Sequence, residues 1–384
     1  MKNKIIFFHP STELYGADKI LLEIISALKD MDITVFLPGE GILVEVLKQR
    51  FKSINIVIEP DMPVIARKYF TFSGVIKFIK KSIRFRKKIH NEFKDAGSVY
   101  LNTLAVIPVS IFCPARLKII THVHEILDNS SIINRLINKF SLKKSTALFC
   151  VSHAVADKFK EIAGYDSLSS KIRVIHNGLD LNNDKNSINV DRKNSDFIKF
   201  ALIGRYKPAV KGQLFLISAL SRLPEPCLVR SHFYLVGSTV AGQEYMEEEI
   251  KDAIQKNKLD EFVTLVPFVK EIGNIYRDID VALVPSVRAD PLPTTVIEGM
   301  AYGCPVIGTN IGGIPEMIED GYNGFLVSPD DVEGFSKRIQ CLIEDEGRRE
   351  NMGNNGRKKY LENFTKDEFL KSFRFEMNRI LDFS

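Results

Sequence analysis

Two carboxylates at acid-x7-acid spacing stand out in this 384-residue chain: Asp290 and Glu298, in Asp290-Pro-Leu-Pro-Thr-Thr-Val-Ile-Glu298. They follow an apolar run, Val281-Ala-Leu-Val-Pro-Ser286, that reads as a buried strand, so Asp290 falls in the loop after it. Pro293 and Thr294 suit the opening of a helix, which puts Glu298 near its first turn. Unpaired backbone N–H groups at a helix N-terminus favour phosphate. Each flanking carboxylate accepts charge-assisted hydrogen bonds from vicinal hydroxyls. A ribose and a hexose on either side of a pyrophosphate fit that pattern. The plainer reading, an ordinary loop with a capping acid, carries less weight because strand, loop and helix agree with the motif.

A second group lies in Ala201-Leu-Ile-Gly-Arg-Tyr-Lys-Pro-Ala-Val-Lys-Gly-Gln213. Gly204 ends a strand, and Arg205 and Lys211 follow in the loop and at the start of the next helix. Two cations there can neutralise a diphosphate leaving group without a metal; a basic surface loop is the alternative. A third loop, His9-Pro-Ser-Thr-Glu-Leu-Tyr-Gly-Ala-Asp-Lys19, has Gly16 before a helix, which suits phosphate and a tight turn equally. In Thr121-His-Val-His-Glu125, strand alternation puts His122 and His124 on one side. Two His and a Glu could bind zinc, but no third ligand cluster accompanies them, so sugar or phosphate contact is favoured and no metal is expected. Either His could equally be a buried, satisfied polar residue. Asp278-Ile-Asp280 has the look of a metal clamp, yet it directly precedes a buried strand, which favours a structural or capping role. Asn177-Gly178 is a turn signal.

The elements that must carry these residues are legible as alternation. Strand-like runs recur at Ile5–Phe8, Ile33–Leu37, Ser98–Leu101, Lys118–Thr121, Ala147–Val151 and Arg173–Ile175. They resume at Ile198–Ile203, His232–Val236, Val263–Val266, Val281–Val284, Val306–Gly308 and Phe325–Val327. Helix-like patterns lie between them, as at Leu21, Leu22, Ile24, Ile25 and Leu28. Two such series imply two doubly wound α/β domains. The break falls at 181–196, a polar stretch that reads as a linker, giving domains at 1–180 and 197–365. The tail, 366–384, reads as a helix with Phe369, Phe373, Met377, Ile380 and Leu381 on one stripe. Ligands of such sheets bind at the carboxyl ends of the strands.

Composition narrows the class. Hydrophobic residues make up 45% and charged residues 26%, as in a folded globular protein, with no run long enough for a membrane span. The apolar run at Ile5–Phe8 is too short for a signal peptide core. Five cysteines without C-x-x-C spacing suggest reduced thiols and a cytoplasmic protein. The net charge of +5 is uneven: residues 1–200 carry 31 Lys/Arg against 20 Asp/Glu, while 201–384 carry 22 against 28. Much of the excess sits in Lys77–Lys88, within a basic segment, 67–94, that interleaves cations with Phe70, Phe72, Ile76, Phe78, Ile79, Ile83, Phe85 and Ile89. That mixture suits a helix lying on an anionic membrane surface. A solvated helix face is the alternative, and nothing else reads as nucleic-acid binding.

Taken together, these residues resemble the retaining glycosyltransferases of family four, bacterial surface-polysaccharide type. Asp290 to Glu298 with Gly299-Met-Ala301 and Cys304-Pro-Val306 carries the resemblance most specifically. Gly204-Arg205, Lys211-Gly212, Val151-Ser152, Asn177-Gly178, Gly312-Gly313-Ile314-Pro315-Glu316 and Asp320–Val327 match too. The resemblance implies a GT-B fold, two Rossmann-like domains facing across a cleft with the C-terminal helix crossing back to the first. It implies metal-independent transfer, without cofactor, of a hexose from a UDP- or GDP-sugar to a glycan or lipid-linked acceptor in capsule or O-antigen synthesis. Arg205 and Lys211 would hold the diphosphate, Glu298 the ribose and Asp290 the hexose. The backbone of Leu292, Pro293, Thr294 and Thr295 would face sugar and phosphate, and Gly16 and Gly204 would line the donor phosphates. His124, with His122 as second choice, would sit near the reacting carbon. With no carboxylate placed as a nucleophile, a same-face substitution fits better than double displacement. Three departures stand out: Asp rather than Glu at 290, Tyr15 in place of a first Gly, and one extra residue between Arg205 and Lys211. A sugar-nucleotide epimerase of the same fold, or a non-catalytic nucleotide-sugar-binding protein, is the alternative; the full set of acids and cations disfavours the second.

Overall fold

The computed structural model describes residues 4–14, 16–66, 69–164, 167–181, 197–240 and 242–381. The chain divides into two compact units, Met1–Asn177 with Phe369–Ser384, and Gly178–Glu368. Tyr15 and nearly all of the expected linker (182–196) lie outside the described residues.

The first unit is a seven-stranded parallel sheet: β1 (Lys4–Phe8), β2 (Asp32–Leu37), β3 (Asn55–Ile58), β4 (Ser98–Asn102), β5 (Lys118–Val123), β6 (Ala147–Cys150) and β7 (Ile172–Val174). Its order is β3-β2-β1-β4-β5-β6-β7. Apolar strands form here because both faces are covered. In β1, Ile5 and Phe7 enter one core layer while Ile6 and Phe8 enter the other. The sequence reading omits β3. It is a four-residue edge strand paired to β2, and its residues are exposed or half-buried, so it lacks the apolar saturation that marks the others.

The second unit is a six-stranded parallel sheet: β8 (Ile198–Ile203), β9 (Ser231–Val236), β10 (Val263–Val266), β11 (Val281–Val284), β12 (Val306–Thr309) and β13 (Gly324–Val327). Its order is β10-β9-β8-β11-β12-β13. In each sheet the winding direction reverses once, at β1/β4 and at β8/β11. Such a switch point leaves a crevice at the strands' carboxyl ends.

The C-terminal helix, Lys366–Leu381, packs into the first unit's core through Phe369, Leu370, Phe373 and Met377. The Phe373 ring lies 6.1 Å from Tyr100 and 5.9 Å from Phe149. Lys118 donates to the Ile380 carbonyl at 2.7 Å, and Arg173 pairs with Glu376 at 3.0 Å.

The basic segment forms a helix, Phe72–Glu92, capped by the Thr71 hydroxyl, which accepts from the Gly74 N–H at 3.1 Å. Its apolar residues divide. Phe85 and Ile89 are core, whereas Phe72, Val75, Ile76, Ile79 and Ile83 are exposed. Its cations divide too: Arg84 pairs with Asp61 at 2.7 Å and Lys88 with Glu59 at 3.0 Å, leaving the outward charge smaller than the raw count suggests.

Candidate functional site

In the second unit, the motif residues gather at the β8/β11 switch point. Gly204 and Arg205 follow β8. Lys211 does not open the next helix as expected; it ends a short one, Pro208–Lys211, begun by its proline. Gly212 then turns the chain at φ 78° into the helix Gln213–Leu220. A Cβ on Gly212 would lie 1.8 Å from the Pro285 carbonyl oxygen, so only glycine lets this loop press against the end of β11. The Val287 N–H donates to Val210 O at 3.0 Å, and buried Gln213 donates to Arg205 O at 3.0 Å. The two cation-bearing positions are therefore fixed by their backbones.

Lys211 Nζ lies 2.7 Å from Asp290 Oδ2, with the side chains 29% and 19% exposed. The ion pair joins the first two motifs. The Gly312-Gly313 motif supports the same loop. Gly313 N–H donates to Asp290 O at 2.8 Å, and a Cβ on Gly313 would fall 2.1 Å from Pro291 O. The helix Thr294–Ala301 begins after Pro293, whose backbone is extended. Leu292 and Pro293 are buried and Thr294 and Thr295 half-buried at its start. Because Pro293 stays outside the helix, Glu298 falls in the second turn, not the first. Its Oε2 accepts from the Tyr276 hydroxyl at 2.9 Å. Tyr276 is buried and stacked on Tyr302, ring centroids 5.5 Å apart. Burial, and then the Glu298 charge, raise the Tyr276 hydroxyl's pKa well above its ordinary value, so it acts as a donor. Neither Gln213 nor Tyr276 carries a sequence signal that sets it apart.

In the first unit, the β1/β4/β5 ends bring together residues far apart in sequence. His9 follows β1, Asn102 ends β4, and His122 to Glu125 close β5. Gly16 opens the helix Gly16–Ala27, with no atom within 4 Å of where a Cβ would stand, and Asp18 is buried in its first turn. His9 Nε2 lies 2.5 Å from Asp18 Oδ1. Asn102 Nδ2 lies 2.9 Å from His9 Nδ1, and His124 Nε2 lies 3.1 Å from Asn102 Oδ1. The His122 and His124 rings are 4.2 Å apart. His122 is fully buried, with Nδ1 2.9 Å from the Tyr100 hydroxyl and Nε2 without a partner.

Burial holds both His122 and His124 neutral. It lowers the His124 pKa to about 3. It drives His122 well down too, with His124 adding to the effect. Glu125 moves the other way: burial pushes its carboxyl up to about 7, although the Leu104 and His124 N–H groups and the Thr103 hydroxyl donate to it. Thr103, next to Asn102, adopts φ 84°, strained for a β-branched residue. The Glu125 carboxylate and the His122 carbonyl, which accepts from Thr103 N–H at 2.8 Å, hold it there. His9, Asp18 and Asn102 are the functional candidates that the sequence reading does not single out. Asp278 and Asp280 take the structural role expected: Lys199 Nζ pairs with Asp278 at 2.8 Å, and Lys199 N–H donates to Asp280 Oδ2 at 2.8 Å.

Two α/β units, each with polar groups gathered at its switch point, define a protein of the GT-B fold. Two family models match consecutive halves of the chain: Glycosyltransferase Family 4 over residues 15–183 and Glycosyl transferases group 1 over 183–359. The chain belongs to the family-four glycosyltransferases. Among curated relatives, an uncharacterised glycosyltransferase of Methanocaldococcus jannaschii is 29% identical over 248 residues, covering 64% of this chain and 61% of its own. The UDP-Gal:alpha-D-GlcNAc-diphosphoundecaprenol alpha-1,3-galactosyltransferase of Escherichia coli is 24% identical over 223 residues, covering 56% of this chain and 55% of its own. The matches thus span about six-tenths of those relatives' length. Among solved structures, Anabaena HepE in complex with UDP superposes with a TM-score of 0.80 at 22% identity, covering 99% of this chain and 100% of that one. At that identity the likeness is one of fold.

Proposed function

We propose that this protein transfers a hexosyl group from a UDP-sugar, with retention and without a metal, to a glycan or lipid-linked acceptor of a surface polysaccharide. The observation that carries the proposal is the Lys211–Asp290 ion pair beside the N-terminus of Thr294–Ala301, with Arg205 on the adjoining strand end and Glu298 one turn further in. Lys211 and Arg205 would take up charge developing on the β-phosphate. Asp290 would exchange its lysine for hexose hydroxyls as the diphosphate arrives, and Glu298, aimed by Tyr276, would bind the ribose. His124 would accept a hydrogen bond from the sugar. The bond from C1 to the β-phosphate oxygen breaks, the acceptor oxygen bonds C1 on the same face, and the acceptor proton passes to the departing phosphate. Uridine is favoured because the Escherichia coli relative is named for UDP-galactose and HepE was solved with UDP.

The acceptor would be reached at an anionic membrane surface, on which Phe72, Ile76, Ile79 and Ile83 would rest among Lys77, Lys80, Lys81, Arg86 and Lys87. No helix among the described residues is long and apolar enough to cross a membrane. Thermal shift against UDP-, GDP-, ADP- and CMP-sugars, with and without EDTA, tests the donor site, because a ligand of the folded form raises Tm by mass action. A shift with UDP compounds that EDTA leaves unchanged is expected; no shift with any nucleotide overturns the reading, and a shift with GDP compounds alone corrects the base. Proton NMR of the first-formed product must then show the donor's anomeric configuration. Neutralising the five named cations should abolish co-sedimentation with anionic vesicles, and unchanged partitioning would dismiss the membrane contact.

A further inference from the structure

The buried chain behind His124 has a direction, and Ala17 sets it. Asn102 Nδ2 is 3.2 Å from the Ala17 carbonyl as well as 2.9 Å from His9 Nδ1. A carbonyl can only accept, so the amide nitrogen must face it; flipping the amide would set two oxygens against each other. Both Nδ2 protons are then used, one on Ala17 and one on His9. His9 Nδ1 is therefore an acceptor, and its proton lies on Nε2, facing Asp18 Oδ1 at 2.5 Å. Asn102 Oδ1 is left as an acceptor for His124 Nε2, 3.1 Å away. The order reads His124 Nε2–H to Asn102, Asn102 to His9, and His9 Nε2–H to Asp18, ending on an acceptor-only carboxylate.

We propose that Asp18, His9 and Asn102 are positioning residues that hold His124 in its neutral Nε2–H form, so that Nδ1 is presented as an acceptor to a hydroxyl of the donor sugar. This rests on the transfer reading above for the identity of the hydroxyl, but not for the tautomer. Two observations make it more than a packed polar cluster. Asn102 is followed by Thr103 in a strained conformation, which persists only where surrounding contacts over-determine it. The chain also ends at the β1/β4 switch point, where a sheet of this type binds ligands. A ring whose one proton is committed to Asn102 can receive a sugar hydroxyl only at its other nitrogen, so the chain fixes both ring orientation and hydrogen-bond polarity before substrate arrives.

The test is long-range proton–nitrogen NMR of full-length protein labelled at the imidazole nitrogens, at neutral pH without nucleotide. His124 cross-peaks are identified by their loss in His124→Gln. Nε2–H patterns are expected for both His124 and His9. An Nδ1–H or charged His124 overturns the proposal, and this arm reads the tautomer in the wild-type protein, with His124→Gln serving for assignment alone. In Asn102→Ala, His124 should populate both tautomers, and kcat should fall about tenfold or more with the donor KM changed by less than about threefold. An unaltered tautomer, or an unaltered kcat, also overturns it. Because the spectrum is taken without sugar, a wrong tautomer is distinct from a failed transfer reading, which shows as wild-type protein that turns over no donor.

Discussion

The two switch points solve one geometric problem with opposite chemistry. The second unit's site is made of charges left partly in water: Lys211 on Asp290, Arg205 nearby, Glu298 on a tyrosine. The first unit's site is made of buried groups held neutral or paired in sequence: His122, His124, Asn102, His9 and Asp18. A partly exposed ion pair is worth little and exchanges easily, so Lys211 and Asp290 could part for the diphosphate that the proposed function brings to them. A buried hydrogen-bonded chain is costly to break, since each orphaned group pays its full desolvation penalty. One region suits capture and release of charge, and the other suits fixed orientation.

Each unit's site can be perturbed separately. Phe373→Ala removes a buried ring that touches Tyr100, itself bonded to His122, and should destabilise the first unit by about 3–5 kcal/mol in chemical denaturation. UDP affinity of the folded protein, which the proposal assigns to the second unit, should survive it; loss of both would count against that assignment. Lys211→Ala should lower kcat by about 10²–10³, with the His124 tautomer unchanged in the NMR spectrum. Tyr276→Phe sharpens the contrast within the second unit: removing a hydrogen bond to a charged group should weaken donor binding by about 1.5–3 kcal/mol, read by calorimetry.

The smallest effect belongs to Glu125. Its folded pKa, about 7, lies above its ordinary 4.5. The stabilisation from its protonated form is therefore complete below pH 4.5 and is lost as pH rises through 7. Comparing wild type with Glu125→Gln isolates this from His122 and His124, whose lowered pKa values act in the opposite direction. The Tm advantage of wild type should shrink between pH 4.5 and 7, by roughly 2–4 °C for each kcal/mol lost in a domain of this size. A pH-independent difference would mean that burial leaves the Glu125 carboxyl unshifted.

Legibility follows the same division. The second unit's site could be read directly because Asp290, Glu298, Arg205 and Lys211 lie within two short stretches, each after an apolar strand. Tyr276 and Gln213 escaped because tyrosine in a helix and glutamine at a helix start are ordinary; what distinguishes them is the partner each reaches. In the first unit, His122 and His124 were visible as an alternating pair. Asn102, which joins His124 to His9, was one polar residue among many, and Asp18 looked like a helix's first-turn acid.

Local periodicity and residue type already fix the alternation of strand and helix, the presence of two α/β units, the charged loops of the second and the helical stripe of the tail; that the tail packs into the first unit's core is a fact of the structure. Only the tertiary structure decided that β1 sits beside β4, and so that His9, Asp18, Asn102 and His124 share one chain of hydrogen bonds. It also decided which apolar residues of Phe72–Glu92 face out, and that Gly212 and Gly313 exist to let backbones touch. The physical reason is that hydrogen bonds and close packing depend on distances across a sheet, and strand order, not spacing along the chain, sets those distances.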